Sequence, residues 1–187
     1  MSPMEPQPAW VFHPPASETR PVRIIGVISD THGLLRPQAL EALRGSDLIL
    51  HAGDIGGLDI LEEIGRIAPV RAVFGNTDWG QARDALSARE VVDLGSADGR
   101  VSETGSVGPL AYVLHDLTEL DLDPEAAGIR LVITGHTHEP LVVEHGSVTF
   151  LNPGSAGPRR FSLPTTVARV TVEGESLEAE IVDLEIH

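Results

Sequence analysis

Two residue types, cysteine and lysine, are absent from the 187 residues of the chain. Without cysteine the protein has no disulfide bonds, no thiolate metal ligands and no cysteine nucleophile. The same absence agrees with a reducing compartment, so we expect a cytoplasmic protein.

Positive charge is also scarce, because thirteen arginines stand against 28 acidic residues and give a formal net charge of −15. A charge of this sign repels polyanions, so we expect no stable binding of nucleic acid. A small substrate fits the composition better. With 41% hydrophobic residues, the chain can bury the core of one domain.

Long apolar runs are missing as well. The first 21 residues lack both a basic start and an unbroken apolar stretch, so they predict no signal peptide, and we expect no membrane association. Their richness in proline predicts an extended, partly disordered leader over residues 1–21. Trp10 and Phe12 in this leader are candidates for docking on the protein body or on a partner. Residues 22–187 are predicted to form a single domain.

Short apolar runs alternate with helical patterns from residue 22 onward, as expected of an α/β fold. Five runs predict buried strands: VRIIGVIS, DLILHAG, VRAVFGN, LAYVLH and RLVITG. The intervening segments PQALEALRG and LDILEEIGRIA predict crossover helices. Two later segments, PLVVEHGSVTFLNPG and TTVARVTVEGESLEAEIVDLEI, predict antiparallel hairpins.

Each of the five buried runs leads into a residue type that binds metals. These residues are Asp30 and His32 in SDTHG, Asp54 in HAGD, Asn76 in GNTD, His115 in LHD, and His136 and His138 in GHTH. Because ligand sites in open α/β sheets lie beyond the carboxyl ends of the strands, we expect these seven side chains to meet at one edge. If residues 136–138 are extended, both of their imidazoles point to the same side. Seven ligands suffice for two metal ions.

Each of these motifs alone has a simpler interpretation. A single Asp-x-His after a strand is typical of a turn with a helix-capping aspartate, Gly-Asp is typical of a turn, and an asparagine after glycine suits a left-handed turn. The repetition of ligand residues at five equivalent positions favours a metal site instead.

The ordered motifs D-x-H, G-D, G-N, a single H and G-H-x-H resemble those of the calcineurin-like metallophosphoesterase superfamily, over residues 22 to about 183. The NPGS segment at 152–155 is similar to that of the small prokaryotic phosphodiesterase branch, which is related to a retromer subunit. This resemblance implies a four-layer α/β/β/α sandwich of two mixed sheets flanked by helices. It also implies a dinuclear metal centre at the strand ends.

The resemblance implies a role for each matching residue. Asp30, His32 and His138 would bind the first metal, and Asn76, His115 and His136 would bind the second, with Asp54 bridging both. Asp54, Asn76 and His115 would be the catalytic set, acting through a hydroxide that the two metals share and activate for attack on phosphorus. Asn76 would also contact the substrate. Manganese is the expected ion, with iron, zinc or nickel as alternatives.

Two positions depart from the family pattern. Many members carry a histidine after G-N that assists the leaving group, whereas this chain has Thr77, so roughly 100- to 10,000-fold of general-acid assistance would be missing. The small prokaryotic branch also lacks this histidine, and the resemblance to it implies activity mainly on phosphodiesters, particularly activated aryl ones. Asp116 stands where glycine is expected after His115, and either hydrogen-bonds near the site or turns the chain. Asp78 resembles the family acid that orients the missing histidine, so no catalytic duty is assigned to it.

Other polar residues have two interpretations each. Arg159 and Arg160 either reach the cleft, where a guanidinium would bind a phosphate oxygen, or form a surface pair in an acidic protein. His51 either orients a ligand or is a buried histidine satisfied by backbone.

Asn152 is predicted to shape the loop that supports the histidine pair. The three remaining histidines, His13, His145 and His187, are assigned no role.

These observations predict a phosphodiesterase that hydrolyses small or nucleotide-like phosphodiesters. The first alternative is a noncatalytic protein-binding scaffold of the same fold, and the second is a phosphomonoesterase. A homodimer is compatible with the sequence but is not specified by it.

Overall fold

The computed structural model describes residues 22–186, so the proline-rich leader, with Trp10 and Phe12, and His187 lie outside the described residues. The elements in chain order are β1 (Arg23–Ile28), α1 (Pro37–Leu43), β2 (Leu48–His51), α2 (Leu58–Ile64), β3 (Val70–Ala72), α3 (Gln81–Ala85), β4 (Arg89–Asp93), β5 (Leu110–Leu114), a 3₁₀ turn (Leu117–Glu119), β6 (Ile129–Ile133), β7 (Leu141–His145), β8 (Val148–Asn152), β9 (Thr166–Glu173) and β10 (Ser176–Asp183).

The strands form two mixed five-stranded sheets, which confirms the predicted fold class. The first sheet has the order β10-β9-β1-β2-β3 and the second has the order β4-β5-β6-β8-β7. Strands β1, β2 and β3 run parallel in the first sheet, and β5, β6 and β8 run parallel in the second. The antiparallel pairs are β1-β9 and β9-β10 in the first sheet and β4-β5 and β7-β8 in the second. Both predicted hairpins are present as β7-β8 and β9-β10.

The main hydrophobic core lies between the two sheets. Ile25, Val27 and Leu50 from the first sheet pack in one cluster with Val113 and Ile133 from the second, all at 0–1% exposure. Close packing of this kind makes truncation costly, at about 2–5 kcal/mol for a buried leucine or isoleucine replaced by alanine. The sandwich is therefore the rigid frame on which the strand-end loops are mounted.

The two outer faces are covered differently. Helices α1 and α2 place Leu43 and Ile64 against Ile28 and Ile49 on the first sheet, as the proline start and helical spacing predicted. On the second sheet, Leu120 and Leu122 from the segment after the 3₁₀ turn pack in the outer cluster. Neither seven-residue helix nor any other helix within residues 22–186 is long and apolar enough to span a bilayer.

The loops of the two sheets touch where their parallel strands end. The amide of His136, after β6 in the second sheet, donates to Asp30 Oδ2, after β1 in the first sheet, at 3.1 Å. Gly135 permits this approach, because a Cβ there would lie 2.0 Å from Ser29 Oγ and 2.6 Å from Asp30 Oδ2. The sandwich therefore brings loops from both sheets to one edge.

Candidate metal centre

The structure brings all seven predicted ligand residues together at this edge. Asp30 and His32 follow β1, Asp54 follows β2, Asn76 follows β3, His115 follows β5, and His136 and His138 follow β6. Their side-chain donor atoms form two groups that meet at Asp54.

The first donor group consists of Asp30, His32 and His138. Asp30 Oδ1 lies 3.2 Å from His138 Nε2 and 3.9 Å from His32 Nε2, and the two Nε2 atoms are 3.3 Å apart. Asp30 Oδ1 is buried and has no hydrogen-bond partner within residues 22–186. A buried carboxylate oxygen without a partner is costly, and a divalent cation would satisfy it. Oxygen and imidazole donors suit manganese, iron and zinc, so these residues fit a metal ion.

The second donor group consists of Asn76, His115 and His136. Asn76 Oδ1 lies 3.0 Å from His115 Nε2 and 3.0 Å from His136 Nδ1. The Nδ1 atom of His115 faces the carbonyl oxygen of Ala52 at 2.7 Å, and donation of this N–H leaves the Nε2 lone pair directed at the group. The second group therefore offers one amide oxygen and two imidazole nitrogens.

Asp54 lies between the two groups. Its Oδ2 is 3.4 Å from His115 Nε2 and 3.8 Å from His32 Nε2, and its Oδ1 accepts a 2.8 Å hydrogen bond from the amide of Thr77. Burial acts to raise the pKa of Asp54, but hydrogen bonds from His115 and from Thr77 outweigh it and hold the pKa below its usual value. Asp54 is therefore an ionised carboxylate with one oxygen facing both groups.

The histidines respond in opposite ways to their surroundings. Burial lowers the pKa of His32, which is consistent with a neutral imidazole able to bind a cation. Burial also acts to lower the pKa of His115, but its hydrogen bonds to Asp54 and to the Ala52 carbonyl raise the pKa above the ordinary value. A cation at this position would compete with that proton.

The backbone at the site is unusual. Among residues 22–186, seven non-glycine residues have a positive φ, and five of them are predicted ligands: Asp30 (54°), His32 (46°), Asp54 (53°), His136 (69°) and His138 (62°). Such conformations cost about 1–3 kcal/mol each and occur at functional sites. The extended backbone considered for the histidine pair is therefore not observed. His138 lies in the first donor group and His136 in the second, which is the division that the resemblance implied.

Hydrogen bonds hold these loops in place. The amides of Asp30 and His32 donate to the carbonyls of Gly53 and Asp54, which ties the loop after β1 to the loop after β2. Asn152 Nδ2 donates to the Gly135 carbonyl at 2.7 Å and to Thr137 Oγ1 at 3.0 Å, which confirms its predicted support of the histidine pair.

Asp78, to which the sequence assigned no catalytic duty, is 1% exposed and accepts from three backbone amides, those of Ile55, Gly56 and Gly75. It anchors the loops after β2 and β3 to each other. Ser29 Oγ donates to Asp30 Oδ2 at 2.6 Å, a contact that we did not predict because a serine before Asp-x-His carries no distinguishing pattern.

The residues with two interpretations now have defined places. His51 is fully buried, and its Nε2 lies 3.0 Å from Thr31 Oγ1, which donates to the Ile55 carbonyl. It therefore supports the loop between Asp30 and His32 through the side chain of Thr31. Burial lowers the pKa of His51 to about 4.

One arginine, Arg160, and two further polar residues, Thr77 and Asp116, flank the donor groups. Arg160 Nη2 and Thr77 Oγ1 both lie 3.4 Å from ring nitrogens of His32, whereas Arg159 lines a separate surface cavity with Asp183 and Glu185. Asp116 Oδ2 is 3.6 Å from His136 Nε2, while Asp116 Oδ1 accepts from the amide and hydroxyl of Thr118. Asp116 thus both turns the chain and faces the second group.

Comparison with known proteins agrees with this geometry. A probable metallophosphoesterase of Methanothermobacter thermautotrophicus is 38% identical over 85% of this chain and 91% of that protein. A phosphodiesterase of Methanocaldococcus jannaschii is 26% identical over 75% of this chain and 89% of that protein. The structure of vacuolar protein sorting 29 from Cryptosporidium parvum has a TM-score of 0.67 at 18% identity, covering 87% of this chain and 91% of that chain, and shows the shared fold.

The family match confirms the resemblance inferred from the motifs. Residues 24–175 match the calcineurin-like phosphoesterase superfamily domain, a span that holds all six residues of the two donor groups as well as Asp54. The chain belongs to the calcineurin-like phosphoesterase superfamily.

Proposed function

We propose that the protein is a dinuclear metal-dependent phosphodiesterase acting on small or nucleotide-like diesters. The observation that carries the proposal is the position of Asp54, whose Oδ2 faces both donor groups. When bound, two divalent ions supply a nucleophile by lowering the pKa of a shared water and neutralise charge on the phosphoryl oxygens. The phosphodiesterase name of the M. jannaschii relative supports the choice of substrate class.

The residues of the chain have distinct tasks in this proposal. Asp30, His32 and His138 would hold one cation, Asn76, His115 and His136 would hold the other, and the Asp54 carboxylate would serve both. Asn76 is exposed, so its amide can also contact the substrate. Thr77 cannot donate a proton near pH 7, so the leaving group departs with little help and activated aryl esters are favoured.

Arg160 is proposed to bind the phosphate. Its guanidinium is exposed and lies 3.4 Å from His32 Nε2. A phosphate between the guanidinium and a bound cation would be attracted by both and would offset their mutual repulsion. We expect Arg160→Ala to raise KM about tenfold with a smaller change in kcat, because one charge-assisted hydrogen bond is lost. Arg159→Ala is the matched control, and an unchanged KM in Arg160→Ala would leave Arg160 as a surface charge.

Manganese is the proposed metal, with iron, zinc or nickel as alternatives, because the donor atoms are carboxylate, amide and imidazole without sulfur. The cytoplasmic location and the homodimer stay predictions from the sequence.

The experiment that tests the function combines elemental analysis with a substrate comparison. We expect two metal equivalents per chain and faster hydrolysis of bis(4-nitrophenyl) phosphate than of 4-nitrophenyl phosphate or an alkyl monoester. Faster hydrolysis of alkyl monoesters than of aryl diesters would contradict the diesterase assignment and favour a phosphomonoesterase.

A noncatalytic scaffold is the second candidate, because the fold is shared with vacuolar protein sorting 29. The complete set of ligand-type residues argues for catalysis instead. Two equivalents of metal without turnover of any ester would favour the scaffold.

A further inference from the structure

A cavity of about 360 Å³ opens beside the donor groups. Its walls include Gly56, Gly57, Leu58, Thr77, Trp79 and Ala82. Thr77 links this cavity to the Asp54 carboxylate, because the Thr77 amide donates to Asp54 Oδ1 at 2.8 Å.

Trp79 is the distinctive side chain of this cavity. Its side chain is 75% exposed, although an indole in water forgoes the burial that large apolar groups ordinarily gain. The backbone beside it is fixed, because the buried carboxylate of Asp78 accepts from the amides of Ile55, Gly56 and Gly75. An exposed aromatic ring on a fixed loop is suited to stacking.

Two polar side chains, Arg83 and Gln81, lie beside the indole of Trp79. The guanidinium carbon of Arg83 lies 4.5 Å from the centroid of Phe74 and 5.9 Å from that of Trp79, so it restrains the indole by a cation–π contact. Gln81 lines the same cavity and brings amide donors and acceptors to its rim.

We propose that this cavity is a subsite for one aromatic ring of the substrate, a nucleobase or an aryl group, stacked on Trp79 while the phosphate lies at the donor groups. The inference rests on the proposed phosphodiesterase function and names its substrate class as aromatic diesters. The cavity volume is in the range of small-ligand pockets, and the net charge of −15 disfavours a polynucleotide.

Binding of two phosphates that differ only in the base tests the subsite. We expect AMP to bind the metal-loaded protein about tenfold or more tightly than ribose 5-phosphate by calorimetry, because stacking on an aromatic side chain contributes this much per base. Trp79→Ala should bring the two affinities together, and Trp79→Phe should keep most of the difference. Phe161→Asn is the matched control, because Phe161 is 95% exposed, lies outside the cavity walls and has a left-handed φ that asparagine tolerates.

A spectroscopic readout is independent of turnover. The chain has two tryptophans, so Trp10→Phe leaves Trp79 as the single indole. We expect AMP to quench its fluorescence and ribose 5-phosphate to leave it unchanged.

Failure of the subsite and failure of the proposed function are distinguishable. Hydrolysis of aryl diesters together with equal affinities for AMP and ribose 5-phosphate would overturn the subsite and leave the function standing. Selective quenching by AMP without hydrolysis of any ester would support the subsite and overturn the phosphodiesterase.

Discussion

The two donor groups differ in how deeply the fold buries them. In the first group Asp30 is 0% and His138 is 3% exposed, and His32 is partly buried. In the second group His115 is 5% exposed, but Asn76 and His136 are exposed. Attraction between a carboxylate and a cation is stronger in a dry environment than in water. We therefore expect the first group to hold its cation tightly and the second group to exchange its cation with solvent.

The backbone reinforces this contrast. All three residues of the first group have a positive φ, but only His136 does so in the second group. Below the first group, His51 supports Thr31, which lies between Asp30 and His32. The fold thus prepares the first group before any ion binds, and preorganised ligands bind more tightly.

The largest effect should come from removing the carboxylate of Asp54, whose Oδ2 faces both groups. Asp54→Asn removes the negative charge between His32 and His115, so we expect loss of both metal equivalents and a fall in kcat of more than about 100-fold, beyond the losses typical of residues that only orient ligands. Elemental analysis and steady-state kinetics measure these changes. Asp59→Asn, the same substitution on the exposed start of α2, is the control. Retention of two metal equivalents per chain in Asp54→Asn would show that Asp54 does not bridge the two metal sites.

A second pair of variants separates the groups. We expect His138→Gln to weaken the tighter metal site by about 100-fold and His136→Gln to weaken only the other site by about tenfold, because water replaces a lost ligand less easily at buried His138 than at exposed His136. Calorimetric titration of the metal-free protein with Mn²⁺ resolves the two sites. His145→Gln, on the exposed strand β7, should leave both affinities unchanged. Equal losses in the two site variants would remove the proposed asymmetry.

The convergence of these ligands followed from the sequence because it depends on local patterns. Near-continuous apolar runs predicted five of the six parallel strands, and the rule that ligands lie beyond parallel strand ends predicted the meeting of Asp30 with His136. Strand β4 was missed because its sequence, REVVD, has charges at both ends and only two apolar residues. Helix α3 is only five residues long and gave no apolar periodicity.

The difference in burial between the two donor groups could not be predicted from the sequence. Burial of Asp30 and exposure of Asn76 depend on how the two sheets pack, and that packing is a long-range property. The same holds for Trp79, whose exposure beside the centre depends on the placing of neighbouring loops and is not marked by any local motif.

The support under the first group predicts a dependence of stability on pH. Burial lowers the pKa of His51 from 6.5 to about 4. Between these two pH values the His51 imidazole stays neutral in the folded protein but takes up a proton in the unfolded chain. This stabilisation is present above pH 6.5 and is lost as the pH falls toward 4, by about 3 kcal/mol. Urea unfolding of metal-free wild type and His51→Gln across this range isolates the effect. A parallel loss of stability in both proteins would contradict it.

The smallest effect is expected at the rim of the second group. Asp116→Asn keeps the oxygen that accepts from Thr118 but removes the charge 3.6 Å from His136. Because the pair is partly exposed, we expect a change of no more than about fivefold in the weaker metal affinity. Mn²⁺ titration at low and high salt measures it, and a change larger than that at His136→Gln would make Asp116 itself a ligand.

The contributions of both sheets to the site have a consequence for folding. The loops of one sheet contribute Asp30, His32, Asp54 and Asn76, and the loops of the other contribute His115, His136 and His138. A bound cation would therefore link the two sheets. An ion that binds only when both halves are docked raises the free energy of unfolding of the whole unit. Chelation should therefore lower the melting temperature of the entire molecule, and the metal content of a preparation would report how much of it is fully assembled.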